Sequence, residues 1–238
     1  MFKRVLIHEL KNIQRDIMYK FFMVFPIILA IIAYFLIPYL RENAGELAAN
    51  IVILMFIIMN GFMFGAITGF TLLDDQDDHV LLSLKITPIS VKSYVLIKLS
   101  LSYLLGIVAT LMLMIVTGFL KDINLLDLVM ILILSPMQGP IIALFINSFA
   151  KNKVEGFVFM KLSGMLLMIP VASIFLTNWT EIFLGIIPGF WTARIVSMHL
   201  IPGDYLLGST FVYFLIGIAV HFVIGLLFFK LYQKRVQI

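Results

Sequence analysis

Residues 73–92 read LDDQDDHVLLSLKITPISVK, the longest interior run of the chain that lipid cannot hold. Asp74, Asp75, Asp77 and Asp78 follow directly on one long apolar run. A short apolar cluster comes next, then Thr87-Pro88, then a second long apolar run. The pattern reads as two membrane spans joined by a cytosolic hinge, over residues 74–90. Such a hinge is placed to lie against a soluble partner and pass that partner's motion to the helices.

Composition supports a membrane setting for the rest. Hydrophobic residues make up 62% of the 238 and charged residues 13%, with a mean hydropathy of +1.11. Soluble domains are about 45–50% apolar and about 25% charged. The fold class expected is therefore an all-α integral membrane protein. There is no Cys, which excludes disulfides, thiolate chemistry and Cys-based metal sites. Basic residues are scattered at span ends, which argues against nucleic acid as a partner.

A membrane-crossing helix needs about 20 mostly apolar residues. Six such runs are present, at about residues 19–40, 47–73, 90–120, 125–149, 154–177 and 207–232. Open strands in lipid would leave peptide groups unpaired, and the alternation of a barrel strand is missing. With six spans both termini share a side. Of the 17 Lys and Arg, all but Arg41, Lys121 and Arg194 then fall on that side, which marks it as cytosolic. Trp179, Trp191 and Tyr205 fall on the outer side, where interfacial aromatics are expected.

Residues 1–20 carry Phe2, Val5, Leu6, Leu10, Ile13 and Ile17 at helical spacing, opposite Lys3, Arg4, Lys11, Gln14 and Arg15. This predicts an amphipathic helix on the inner leaflet; a cytosolic extension of the first span is the alternative. The segment is too long and too acidic for a signal peptide, so it is expected to be retained. Pro26 stands where it can kink the first span. Residues 178–208, with Ile182, Phe183, Ile186, Ile187, Phe190 and Trp191, are too apolar to project into water and are expected to re-enter the outer membrane half. One membrane domain over 1–238 is expected.

Within the spans, Gly61, Gly65 and Gly69 form a smooth stripe at spacing four, suited to close backbone approach. It fits a subunit interface or ordinary packing within one bundle. Asn60 and Thr68 lie beside it. Pro136, Gln138 and Pro140 interrupt the fourth run near mid-membrane, where a break in the helix is tolerated only if buried in protein or lining a cavity. They are candidates for a pathway-lining kink or a static one. His221 is a polar residue at membrane depth, suited to a functional role or a helix–helix bond.

At the hinge, four acids sit badly at a helix C-terminus and well in the first turn of a new helix. The expectation is a break near Asp74–Asp75 and a short helix over about residues 77–85 with Val80, Leu81 and Leu84 on its apolar face. Thr87 then reads as an N-cap and Pro88 as the first residue of the third span. A strand pattern also fits Leu82, Leu84 and Ile86, but an isolated strand has no partner here. The acids lack the Gly and Glu of a calcium loop, so no metal is expected. His8-Glu9 lacks the second His of a zinc protease, and a nucleophile elbow is missing. No enzyme activity is expected. No phosphate-binding G-x-x-x-x-G-K-[ST] is present either; if ATP drives this protein, its site is on another chain.

The layout resembles the permease subunits of ABC-2 type exporters. The resemblance rests on six spans, Arg15-Asp16 at the end of the amphipathic segment, a Pro in the first span, Leu81-Leu82, Thr87-Pro88-x-Ser90, and IPGFWTARIV at residues 187–196. The density of Asp in the hinge departs from that family, which usually shows Glu and fewer acids. The resemblance implies a homodimer or heterodimer bound to two cytosolic ATPase subunits that hold the ATP and Mg. It implies a coupling helix seated on the ATPase, with Asp77, Asp78, His79, Val80, Leu81, Leu84, Lys85, Thr87 and Pro88 at the contact. The function expected is ATP-driven export of hydrophobic or amphipathic drugs or antimicrobial peptides across the cell membrane. The rival reading is a non-transport scaffold or sensor that regulates a cytosolic partner through the same loop.

Overall fold

The computed structural model describes residues 7, 9, 11, 13–176 and 178–236, and they are helical apart from short turns and loops. In chain order the helices are α1 (Ile17–Asn43), α2 (Glu46–Asp77), α3 (Val80–Leu84), α4 (Val91–Val116), α5 (Leu125–Leu134), α6 (Gln138–Phe149), α7 (Lys153–Leu166), α8 (Met168–Ala172), α9 (Phe190–Leu200) and α10 (Thr210–Val236). A 3₁₀ turn, Ser135–Met137, joins α5 to α6, and another, Ser173–Phe175, ends the α7–α8 rod. Among the described residues six stretches are long and apolar enough to cross a membrane: α1, α2, α4, Leu125–Phe149, Lys153–Phe175 and α10. This is a multi-pass membrane protein.

Helix α2 is the central post, packed against α1, α4 and α6. Ile53, Leu54, Ile57, Phe70 and Leu73 on it are wholly buried. The outer helices present Phe35, Val108, Met165, Phe222 and Leu227 outward, the inverted surface that lipid requires. Pro26 and Pro38 sit inside a continuous α1.

The amphipathic segment expected over residues 1–20 falls partly outside the described residues. The described positions 7, 9, 11 and 13–15 are helical. Asp16 ends that helix in an extended conformation and caps α1, its Oδ1 accepting from Met18 N at 2.7 Å. The segment is thus set off from the first span. It also lies against the bundle, because Ile13 is buried in the core and Glu9 is 3% exposed.

Two boundaries at the hinge differ from expectation. Helix α2 does not break at Asp74–Asp75; it runs through Asp77 and ends at Asp78, after which His79 takes a left-handed φ of 55°. The short helix is Val80–Leu84, five residues long. The acids tolerate the negative end of α2 because lysines from elsewhere offset their charge, as described below. Thr87 is not the N-cap of the third span. Ser90 is, its hydroxyl accepting from Ser93 N at 3.1 Å, and α4 starts at Val91. The Thr87 hydroxyl instead donates to Leu84 O at 2.8 Å.

The 178–208 segment is folded into the bundle. Gly189 meets Ile58 and the Gln138 side chain, so the Pro188-Gly189 turn reaches α2 near mid-length. In α9, Phe190 through Ser197 are all buried. Trp191 is therefore not interfacial: it is 4% exposed and its Nε1 donates to Gly185 O at 2.7 Å. Trp179, 64% exposed, does face outward.

Candidate functional site: the charged end of α2 and its exposed loop

Successive residues on a helix point about 100° apart, and the end of α2 uses this to reach several partners. Asp74 accepts from the Tyr19 hydroxyl of α1, and its Oδ1 lies 2.8 Å from Lys153 Nζ at the start of α7. Lys153 also stands over the Tyr19 ring, 5.3 Å from its centroid. Asp75 turns to α4, where its Oδ2 receives Lys98 Nζ at 2.5 Å and the Tyr94 hydroxyl at 3.0 Å. Gln76 Nε2 donates to Asn147 Oδ1 of α6 at 2.7 Å, and the backbone oxygen of Asn147 accepts from Arg235 of α10 at 2.5 Å. Three consecutive side chains thus hold α1, α4, α6 and α7, and through Asn147 also α10.

Lys98 carries the deepest charge in this cluster. Its side chain has no exposure, yet it sits between two carboxylates, Asp75 and Glu9, the latter at 3.0 Å and each carboxylate side chain 4% exposed. Its Nζ also donates to Thr71 O at 3.2 Å. A buried ammonium is stable only when paired and hydrogen-bonded, and Lys98 donates to Asp75 and Thr71 while Glu9 supplies a second counter-charge. This triad was not visible in the sequence: Lys98 counted there as one more basic residue near a span end, and Glu9 belonged to the amphipathic segment.

Beyond the cluster the chain turns outward. Asp77, Asp78, His79, Lys85, Thr87 and Pro88 are exposed, while Val80 and Leu84 are half-buried. Leu81 is 4% exposed and packs with Leu72, Tyr94, Val95 and Tyr232. The apolar face expected of the short helix therefore faces its own bundle. The apolar side chains that face outward are Leu82, 58% exposed, and Ile86, 90% exposed. Among the described residues no cluster of side chains is arranged to hold a metal.

The glycine stripe faces α5–α6 of the same chain. A Cβ at Gly61 would lie 2.5 Å from Gln138 Cγ, and one at Gly65 2.5 Å from Gly139 O; at Gly69 the nearest atom is Ile146 Cδ1, at 3.1 Å. The stripe thus joins two helices of one chain. Gln138 Nε2 donates to Ile58 O at 2.7 Å and Asn147 Nδ2 to Gly69 O at 2.7 Å, which bolts the seam at both ends. Asn60, Thr68, Pro136 and Gln138 are buried in helix packing. Of the pathway candidates, Pro140 and His221 border a groove of about 750 Å³ between α4 and α10. The His221 ring bonds within its own helix, Nδ1 standing 2.8 Å from Gly217 O.

At the opposite end a second buried pair holds the folded-in segment. Arg194 and Glu181 are 0% and 1% exposed at the side chain and 2.6 Å apart. Arg194 also donates to the carbonyls of Ser173 and Leu176. Tyr213 of α10 donates to Glu181 Oε1 at 2.5 Å. Asn50 Nδ2 of α2 donates to Leu200 O at 2.6 Å. Burial of the Tyr205 phenol beside this pair pushes its pKa above the ordinary value. In the sequence Arg194 is one of three basic residues on the outer side; only its IPGFWTARIV context sets it apart.

Over residues 9–229 the chain matches the family described as fluoroquinolones export permease protein Rv2686c-like. The chain belongs to that family. Two curated relatives are the fluoroquinolones export permease proteins MT2760 and Rv2686c of Mycobacterium tuberculosis, from strains CDC 1551 / Oshkosh and ATCC 25618 / H37Rv. Each is 25% identical over 150 residues, covering 61% of this chain and 59% of the relative. The match thus spans somewhat under two thirds of each relative's length. No solved structure matches. The family match runs from Glu9 through Phe229, so it takes in both buried ion-pair clusters and the exposed loop.

Proposed function

We propose that this protein is the membrane-spanning permease subunit of an ATP-driven exporter, and that a cytosolic ATPase docks on the loop between α2 and α4. The observation that carries this reading is the anchoring of that loop. An exposed excursion ending in Leu82 and Ile86 follows directly on three side chains tied to the rest of the bundle. Force applied to the loop has a rigid route into every principal helix. In this reading ATP and Mg bind the partner, which agrees with the lack of a phosphate-binding motif in the sequence. Both termini are cytosolic in this reading, which the distribution of Lys and Arg supports. Two permease copies and two ATPase copies make the working unit. The substrates are hydrophobic or amphipathic drugs, with fluoroquinolones the class that the relatives' names supply.

The test is reconstitution with the cognate ATPase in liposomes, measuring stimulated ATP hydrolysis and fluoroquinolone efflux. Leu82→Asp with Ile86→Asp should abolish stimulation while the permease keeps its thermal stability, because both side chains already face outward. Undiminished stimulation would sink the docking site. Leu81→Glu is not a usable probe, since it buries a charge in the packing beneath α3. Recovery of a non-ATPase partner on the same loop, with no efflux, would favour the scaffold reading. Orientation is checked with single cysteines, for which the Cys-free chain gives no background. Asp78→Cys should resist an impermeant thiol reagent applied outside cells, and Lys121→Cys should react.

A further inference from the structure

Helix α10 borders a second groove, of about 670 Å³, walled by α6, α7 and α10 and closed at one end by Ile186, Ile187 and Pro188 of the folded-in segment. Its volume falls within the range of about 300–1,000 Å³ seen for small-molecule sites. The walls are apolar except for Ser163, Lys230 and Lys234. Ser163 is already satisfied, its hydroxyl donating to Phe159 O at 2.9 Å. The free polar groups are therefore two ammonium groups four residues apart on one face of α10. They stand at the end of the bundle that carries the charged end of α2, since Tyr232 packs with Leu72 and Leu81 and Arg235 reaches Asn147.

The acids that would neutralise them are missing from the groove's walls. Helices α6 and α10 contain no Asp or Glu. The one carboxylate of α7, Glu155, accepts from the backbone of Lys151 at 2.7 Å. Among the described residues neither Lys230 nor Lys234 forms an ion pair, whereas Lys98 and Lys153 both do. A long apolar slot with two unneutralised cations at its mouth has the polarity of a phospholipid with an anionic head. Basic pockets between spans on the cytosolic side bind such headgroups. Snorkelling of lysine at a span end accounts for the presence of a cation, but not for two on one face over a closed apolar slot.

We propose that this groove is a binding site for an anionic phospholipid, its phosphate held by Lys230 and Lys234 and an acyl chain lying between α6, α7 and α10. A second copy of the chain is a poorer occupant, because α6, α7 and α10 would bring no free carboxylate to the two lysines. The inference does not depend on the permease reading; it holds whether or not an ATPase docks on the loop between α2 and α4.

The experiment is native mass spectrometry of the full chain purified with an equimolar mixture of phosphatidylglycerol and phosphatidylcholine. Thermal unfolding in detergent with each lipid added is followed in parallel. The wild type should retain phosphatidylglycerol selectively and gain thermal stability from it. Each lysine near an anionic headgroup is worth about fivefold in affinity, so Lys230→Gln with Lys234→Gln should lose about 25-fold. Lys161→Gln, on α7 but outside the groove, should change neither readout. Equal retention of the two lipids would overturn the proposal, as would full retention of phosphatidylglycerol by the double variant. Inorganic phosphate stabilising the protein as well as the lipid does would also overturn it, as would a dimer that seals the groove with no lipid retained. If the double variant loses stability without lipid, affinity of the folded fraction for spin-labelled phosphatidylglycerol decides between the same outcomes.

Discussion

Replacing Lys98 by Met leaves the methylene stem in place and removes the single cation between Asp75 and Glu9. In the wild type one ammonium faces carboxylates at 2.5 and 3.0 Å, all three side chains being at most 4% exposed. The variant leaves two like charges buried together, with Tyr94 as the one remaining donor to Asp75. Removing one member of a buried ion pair costs about 3–5 kcal/mol, because the partner is left uncompensated. That is roughly two to three and a half powers of ten in the folded-to-unfolded ratio. Adding Asp75→Asn and Glu9→Gln removes both stranded charges, and the triple variant should recover most of the loss. Stability is measured by denaturant unfolding in mixed micelles, with a double-mutant cycle across Lys98 and Asp75. A coupling energy above about 1.5 kcal/mol is expected for contacting charges in a network. A Lys98→Met variant within about 0.5 kcal/mol of wild type, the range typical of exposed sites, would refute the idea that this triad holds α2, α4 and the amino-terminal segment together.

Gly65→Ala should cost about 1–3 kcal/mol by overpacking, because its Cβ would stand 2.5 Å from the backbone oxygen of Gly139. Gly69→Ala should be milder, since the nearest atom is a flexible Ile146 methyl at 3.1 Å; thermal melts showing the reverse order would contradict the packing of the seam. Arg194→Met should cost about 3–5 kcal/mol, because it strands the buried Glu181 carboxylate, whereas Arg194→Lys should cost less, since one terminal nitrogen, Nη2, makes all three contacts. Wild-type stability in Arg194→Met by the same melts would remove that role. Ser90→Ala should lose about 1 kcal/mol of stability through the lost cap of α4. Thr87→Ala should lose less, and a larger loss from it would restore Thr87 as the cap.

The spans were legible in the sequence because their signal is local: some 20 apolar residues in a row need no knowledge of neighbours. What was not legible depended on distant partners. The end of α2 was misplaced because four acids were judged against their own helix dipole alone. Lys98 and Lys153, which reverse that balance for Asp75 and Asp74, lie 23 and 79 residues further on. The glycine stripe was visible, but only the fold shows that Gln138 and Gly139 fill it. Leu81 was assigned to the partner's face for the same reason: amphipathic spacing marks an apolar face without saying what covers it. Arg194 and Glu181 are ordinary charges in a linear reading. Their pairing depends on the 178–208 segment turning back into the bundle.

The fan of contacts at the end of α2 also fixes the length of that helix. One residue inserted between Gly69 and Asp74 would advance the helix by about 1.5 Å and turn it by about 100°. Leu73 would then stand where Asp74 now meets Tyr19 and Lys153, Asp74 would stand where Asp75 now meets Lys98, and every pairing at that end would be exchanged for a wrong one at once. An insertion of four residues would come back to within about 40° of the original direction, but shifted by a full turn. The count of residues from Gly61 to Gln76 therefore works as a ruler whose zero is the glycine seam. Residues added after Asp78 would leave the ruler intact and disturb only the exposed loop.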